Sequence, residues 1–121
     1  MKNLIIGGTF GYNISQLACW VNSIDSVVDP ATTDKVVVCG DTDPSTIQWL
    51  NDNNFTVIPA QRGDMAPHVA RFVYIYDYLH QNWQNYDYVV TTDVRDVVFQ
   101  SDPFGWLKAN LDEYKLVCGS E

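Results

Sequence analysis

The sequence predicts an α/β fold in which a mostly parallel sheet carries helices on both faces. Three observations predict it. Short apolar, β-branched runs alternate with stretches of helical periodicity along the 121 residues. The runs are apolar without interruption, as strands covered on both faces are. Each is followed by enough chain for a crossover helix, which parallel neighbours need and which is almost always right-handed. With 46% hydrophobic and 13% aromatic residues the chain supplies one core and too little for two, so residues 1–121 read as a single domain.

Asn3 to Gly8 (NLIIGG) is an apolar run closed by glycines, the first strand. Behind an Asn13 cap, Ile14, Leu17, Ala18, Val21 and Ile24 recur at helical spacing. Lys35 to Cys39 (KVVVC) is a second, buried strand closed by Gly40. A helix starting near Ser45 carries Ile47, Trp49 and Leu50 and ends at the turn-like Asp52-Asn53-Asn54. Phe55 to Pro59 (FTVIP) is the third strand. A polar loop, Ala60 to Ala66, leads into a helix from Pro67 to Trp83, since proline is favoured in a first helical turn. Phe72, Ile75, Tyr76, Leu79 and Trp83 form its expected apolar stripe. Tyr86 to Thr92 is a fourth, buried strand. Pro103 to Leu111 is a short helix capped by Ser101 or Asp102, and Tyr114 to Cys118 a fifth strand. Trp20, Trp49 and Trp83 are expected in the core or at its rim, and Trp106 over the sheet. The chain stops directly after the fifth strand, which reads as truncation before the fold would normally finish.

Composition excludes several function classes. The net charge is −8 and the seven Lys and Arg are scattered, which excludes a nucleic-acid backbone as partner. An acidic chain that binds an anion needs a metal ion, a helix N-terminus or one well-placed arginine. Cys19, Cys39 and Cys118 are odd in number and widely spaced among apolar neighbours. They read as reduced, buried thiols of a cytoplasmic protein rather than a disulfide framework or zinc knuckle. No run approaches the ~20 apolar residues of a membrane-spanning helix, and the start MKNLIIGGTFGYN turns polar too early for a signal peptide.

In a doubly wound parallel sheet ligands bind outside the carboxyl ends of the strands. That rule places Gly7 to Tyr12, Gly40 to Asp43, Ala60 to Asp64 and Asp93 to Asp96 along one edge. The first of these loops is not a dinucleotide fingerprint. Gly7, Gly8 and Gly11 miss the G-x-G-x-x-G spacing, and no acidic residue ends the second strand. Nor does GGTF precede the His-x-x-His element of nucleotidylyltransferases, because the first histidine is His68. What remains is a strand end where backbone can approach a ligand, with Thr9 offering a hydroxyl and Tyr12 a stacking ring, or else a plain turn with Tyr12 packed on the core.

The other loop with chemistry belongs to YDYVVTTDVRDVVFQSDPF, residues 86–104. Asp93 and Asp96, three residues apart just past a strand, can converge on one divalent cation, and hard oxygen ligands suit Mg²⁺ or Mn²⁺. The same spacing suits a structural role, with Asp93 capping the turn and Asp96 paired to Arg95 or Arg71. Arg95 reads as a tie between the loop and the domain, and Asp102 as a helix cap.

The run TTDVRDVVFQSDPF, preceded by YDYVV and by a helix carrying Arg71, Phe72, Tyr76 and Leu79, resembles the nucleotide-diphospho-sugar transferases of the GT-A fold. In those proteins the corresponding strand ends in D-x-R-D-V-x-F-Q-x-D-P-F. The D-x-x-D pair is similar to that of the collagen-modifying galactosyl and glucosyl transferase domains, where it replaces the commoner D-x-D. The resemblance runs from the first strand to Glu121. It implies a Rossmann-like, GT-A type fold and the metal-dependent transfer of a sugar from a UDP- or GDP-sugar to an acceptor that it does not name, with Mn²⁺ or Mg²⁺ as cofactor. It further implies that Asp93 holds the nucleotide ribose or the metal, that Asp96 binds the metal directly, and that Arg71 reaches toward the diphosphate or steadies the carboxylates. Thr9 and Tyr12 match the loop that meets base and ribose. Family members commonly add a C-terminal half that binds the acceptor and supplies a late metal ligand, often a histidine. Here only His68 and His80 are present, His68 on the face of Arg71 and within reach of the site, His80 at the surface. The alternative is a catalytically silent nucleotide-binding or assembly module of the same fold.

Overall fold

The computed structural model describes residues 2–95 and 97–110; Asp96, Cys118 and the strand expected over Tyr114 to Cys118 lie outside the described residues. The elements run β1 (Lys2–Phe10), α1 (Ile14–Val27), β2 (Thr33–Gly40), α2 (Pro44–Asp52), β3 (Thr56–Pro59), α3 (Pro67–Asn82), β4 (Tyr86–Thr92) and α4 (Pro103–Asn110), with a 3₁₀ turn at Trp83–Asn85. The expected alternation is borne out. Four strands form one sheet in the order β3-β2-β1-β4, every pair parallel. The chain winds outward from β1 to β3 and then crosses back through α3 to the far side of β1. The order therefore reverses between β1 and β4, and such a switch point leaves a crevice at the carboxyl end of the sheet.

Strand alternation divides the core into two layers. Ile5, Val37 and Cys39 pack with Leu17 and Trp20 of α1, Leu50 of α2 and Phe104 of α4. Leu4, Ile6, Val36 and Val38 face the other way and meet Ile75 of α3. Helices thus cover both faces, and each fully buried Leu, Ile or Val contributes about 1.5–3 kcal/mol. The buried Lys35 ammonium is satisfied by Asp25 of α1, by the Asn53 carbonyl at 2.7 Å and by the Phe55 ring at 4.8 Å, so it braces α1, β2 and the end of α2 together. Among the described residues no helix is long and apolar enough to cross a membrane.

Local chemistry sets the helix starts. Asn13 Oδ1 accepts from the Gln16 N–H at 3.1 Å while Gln16 Oε1 accepts from the Asn13 N–H at 3.0 Å, a complete capping box for α1. The cap of α2 is Asp43 rather than Ser45. Its Oδ1 accepts from the Thr46 N–H at 2.9 Å and the Ser45 hydroxyl at 2.6 Å, and Pro44 takes the first helical position. Asp102 Oδ1 accepts from the Phe104 N–H at 2.9 Å, as a cap of α4 should.

Several expectations are corrected. β1 does not stop at its glycines but runs on to Phe10. α3 turns Ala70, Tyr74, Ile75, Tyr78 and Leu79 to the sheet, whereas Phe72, Tyr76 and Trp83 of the expected stripe are 55%, 66% and 61% exposed. The inner stripe wins because its tyrosines have partners. Tyr74 Oη bonds the Gln61 backbone at 3.0 and 3.1 Å, and Tyr78 Oη meets Tyr86 Oη at 2.9 Å, which in turn donates to Asp34 at 2.9 Å. β4 is not fully buried: it lies at the edge of the described sheet, and Asp87, Val89 and Thr91 are exposed on one side. Trp106 is exposed as well, and so is Cys19, against the expectation of buried thiols.

Candidate functional site

A cavity of about 250 Å³ opens at the switch point. The end of β1 contributes Gly8 and Phe10 and the turn after it Tyr12, the first turns of α3 contribute Pro67, His68 and Arg71, and the loop after β4 contributes Asp93, Val94 and Arg95. Register puts these groups together. Gly7 pairs with Thr92, so the chain leaves β4 directly beside Gly8. Trp20, fully buried, donates from its indole N–H to Thr92 Oγ1 at 2.9 Å and fixes that exit. Val94 is then buried over Gly7, where a Cβ would lie 2.6 Å from its Cγ1. A buried valine between Asp93 and Arg95 pins the backbone and leaves both charged side chains outside the core.

Gly8 makes the matching space for Arg71. A Cβ there would lie 2.7 Å from Arg71 Cγ and 3.2 Å from its Cβ, so the arginine stem rests on bare backbone. From that seat the guanidinium pairs with Asp93 through Nη1 and Oδ1, while Phe72 lies 4.7 Å from its centre. Arg71 Nε is buried and has no hydrogen-bond partner among the described residues. Arg95 is exposed, its guanidinium carbon 5.7 Å from the centroid of the Tyr12 ring. The described lining therefore sets two guanidiniums against one carboxylate, at the positive end of α3, inside a chain of net charge −8. Among the described residues the patch is cationic where the molecule is anionic.

Tyr12, Arg71 and Asp93 are thus brought to one cavity, and His68 stands beside them. Thr9 is not among them: the alternation that turns Gly8 and Phe10 toward the cavity turns Thr9 to the opposite face, where it is 1% exposed and its hydroxyl has no partner among the described residues. Asp96 lies outside the described residues. Arg95, read from the sequence as a tie to the domain, lines the cavity instead. The loops at Gly40 to Asp43 and Ala60 to Asp64 share this edge of the sheet, since Gly11 N–H donates to Gly40 O at 3.0 Å and Ala60 N–H to Cys39 O at 2.9 Å, but they do not line the cavity. Burial pushes the Cys39 thiol beside them up to about 11, which makes it a packing group and not a nucleophile.

Among the described residues no group of three or more His, Cys, Asp or Glu is placed to hold a metal ion. Asp93, 60% exposed, gives Oδ1 to Arg71 and has no partner for Oδ2 among the described residues. One free carboxylate oxygen fits the way Mg²⁺ is usually held, by one or two carboxylates with substrate phosphates and water filling the rest.

No family model matches the sequence and no curated protein matches it. Solved structures do. The chain is similar to S. aureus TarS 1–349, with a TM-score of 0.65 at 20% identity over 93% of this chain and 33% of that one. It is similar to S. aureus TarS with a TM-score of 0.62 at 21% identity, over 93% and 20% of the two chains. A third similar structure is TarS 1–349 in complex with UDP, with a TM-score of 0.61 at 19% identity over 93% and 32%. This chain spans a third or less of the length of each. At such identities the likeness shows the fold, and the fold is the α/β, Rossmann-like arrangement of these TarS structures, as the motif resemblance implied.

Proposed function

We propose that the chain is the donor-binding part of a metal-dependent glycosyltransferase, which binds a UDP- or GDP-sugar at the switch-point cavity for transfer of the sugar to an acceptor. The observation that carries the reading is the cationic cavity itself, with Arg71 seated on Gly8 and held by Asp93 at the carboxyl end of the sheet. The same fold in TarS 1–349, one structure of which is a complex with UDP, supports it.

Each residue has a task in this reading. Tyr12 offers a ring for the base. Arg71 offers a planar, two-point donor for diphosphate oxygens, already oriented by Asp93. The N-terminus of α3 adds its positive end beside them. Asp93 Oδ2 and Asp96 are the proposed ligands of Mn²⁺ or Mg²⁺. A divalent ion there would stabilise the charge that develops on the leaving diphosphate. The cavity is somewhat smaller than the ~300–1,000 Å³ usual for whole ligands, which suits a site that holds part of the sugar nucleotide.

A thermal-shift panel tests the proposal. UDP or GDP with Mn²⁺ is expected to raise the melting temperature, by about 2.7 kcal/mol of stabilisation at a hundredfold excess over Kd. Asp96→Ala should remove the metal-dependent part and Arg71→Ala the whole shift. No shift with any nucleoside diphosphate would sink the reading. The alternative is a catalytically silent nucleotide-binding or assembly module of the same fold. Nucleotide binding without turnover of any sugar nucleotide separates the two.

A further inference from the structure

Arg71 and Arg95 line the same cavity but are held very differently. Arg71 is wedged on Gly8 and tied to Asp93. Arg95 is exposed, and among the described residues it forms no ion pair and has the Tyr12 ring as its one charged or aromatic contact. An exposed cation–π contact is a weak tie, whereas a phosphate offers the same guanidinium a charge-assisted, two-point partner. The ring in its turn offers a nucleobase a stacking face. Because Val94 buries the backbone between Asp93 and Arg95, the guanidinium can change partner by side-chain rotation alone.

Resting on the nucleoside-diphosphate reading above, we propose that Arg95 and Tyr12 are an exchangeable pair. The guanidinium leaves the ring for a phosphate as the base takes its place on the ring. One contact is lost and two are gained, but only by a ligand that carries base and phosphate together. A free nucleoside must displace Arg95 without giving it a new partner. The pair therefore favours nucleotides over their separate halves and makes Arg95 a residue that sets specificity.

The test titrates uridine, inorganic pyrophosphate and UDP, with and without Mn²⁺, into the 121-residue chain by NMR, with folding checked by circular dichroism. Arg95→Ala is expected to weaken UDP and pyrophosphate roughly tenfold or more, the order of one lost charge-assisted contact. The same change should tighten uridine about two- to fivefold, because the ring is uncovered. Arg95→Lys should keep most of the pyrophosphate affinity, and Tyr12→Leu should weaken uridine and UDP while leaving pyrophosphate equal or tighter, since Arg95 then has no ring to leave. If the wild-type chain binds UDP but Arg95→Ala leaves UDP unchanged, or leaves uridine weaker, equal or undetectable, the exchange is overturned and the nucleotide reading stands. If the wild-type chain binds no UDP under either condition, both fall.

Discussion

Gly8 has no side chain because Arg71 stands where one would be, and Gly7 has none because Val94 does. The two glycines therefore do different work and should fail differently. Gly7→Ala presses on Val94, the Thr92 carbonyl and Trp20, three groups that cannot retreat, and is expected to cost about 1–3 kcal/mol in a urea titration. Gly8→Ala pushes on an arginine stem that can shift, so the larger effect should appear as weaker UDP binding. Asp43 gives a pH prediction. Hydrogen bonds from the Ser45 hydroxyl and the Thr46 N–H hold its carboxyl below the ordinary 3.8. A lowered folded value means that the cap is intact above pH 3.8 and is lost as the pH falls below it. Asp43→Asn should accordingly flatten the stability profile below that pH and change little at pH 7, as followed by thermal melts. Single residues were the least legible level of the sequence. Glycines at the end of an apolar run look like punctuation, and nothing local reveals that two distant side chains need their space. Thr9 was assigned to a loop for that reason alone. Arg95 was missed because loop residues follow no period, so its neighbours in the chain say nothing about the direction in which it points.

At the scale of the element, α3 shows how a periodic pattern can be right about the helix and only partly right about its face, since Ile75 and Leu79 of the expected stripe meet the sheet while Phe72 and Tyr76 do not. Val69, Phe72, Val73 and Tyr76 make one apolar stripe and Ala70, Tyr74, Ile75, Tyr78 and Leu79 another, and only the second meets the sheet. Ile75→Ala is expected to cost about 2–4 kcal/mol, as a buried truncation does. Phe72→Glu should stay within about 0.5 kcal/mol of wild type, as an exposed change does, when both are measured by chemical denaturation. β2 and β4 were legible because β-branched runs bounded by turn residues admit little else. The start of α2 was misread by two residues because Asp43, Ser45 and Thr46 are all competent caps, and only the proline between them settles which one sits outside the helix.

The molecule as a whole sets guanidiniums and a helix N-terminus together at one end of the sheet of an acidic chain, the arrangement that the proposed anionic ligand would need. The fold class and the edge that carries the cavity could both be read from the sequence, since alternating strands and helices leave few topologies and the switch-point rule then selects the edge. The strand order has a kinetic consequence. β1 pairs on one side with β2, where Leu4 meets Asp34, and on the other with β4, where Leu4 meets Val89. Closing the second loop costs about 1 kcal/mol more chain entropy than closing the first, and it must wait for α3 to be in place. Pulse-labelled hydrogen exchange should therefore find the β1–β2 amides protected before those between β1 and β4. Tyr12 and Arg71 are poised early, and Asp93 and Arg95 arrive only when β4 docks, so the cavity is completed only with the final pairing of the described sheet.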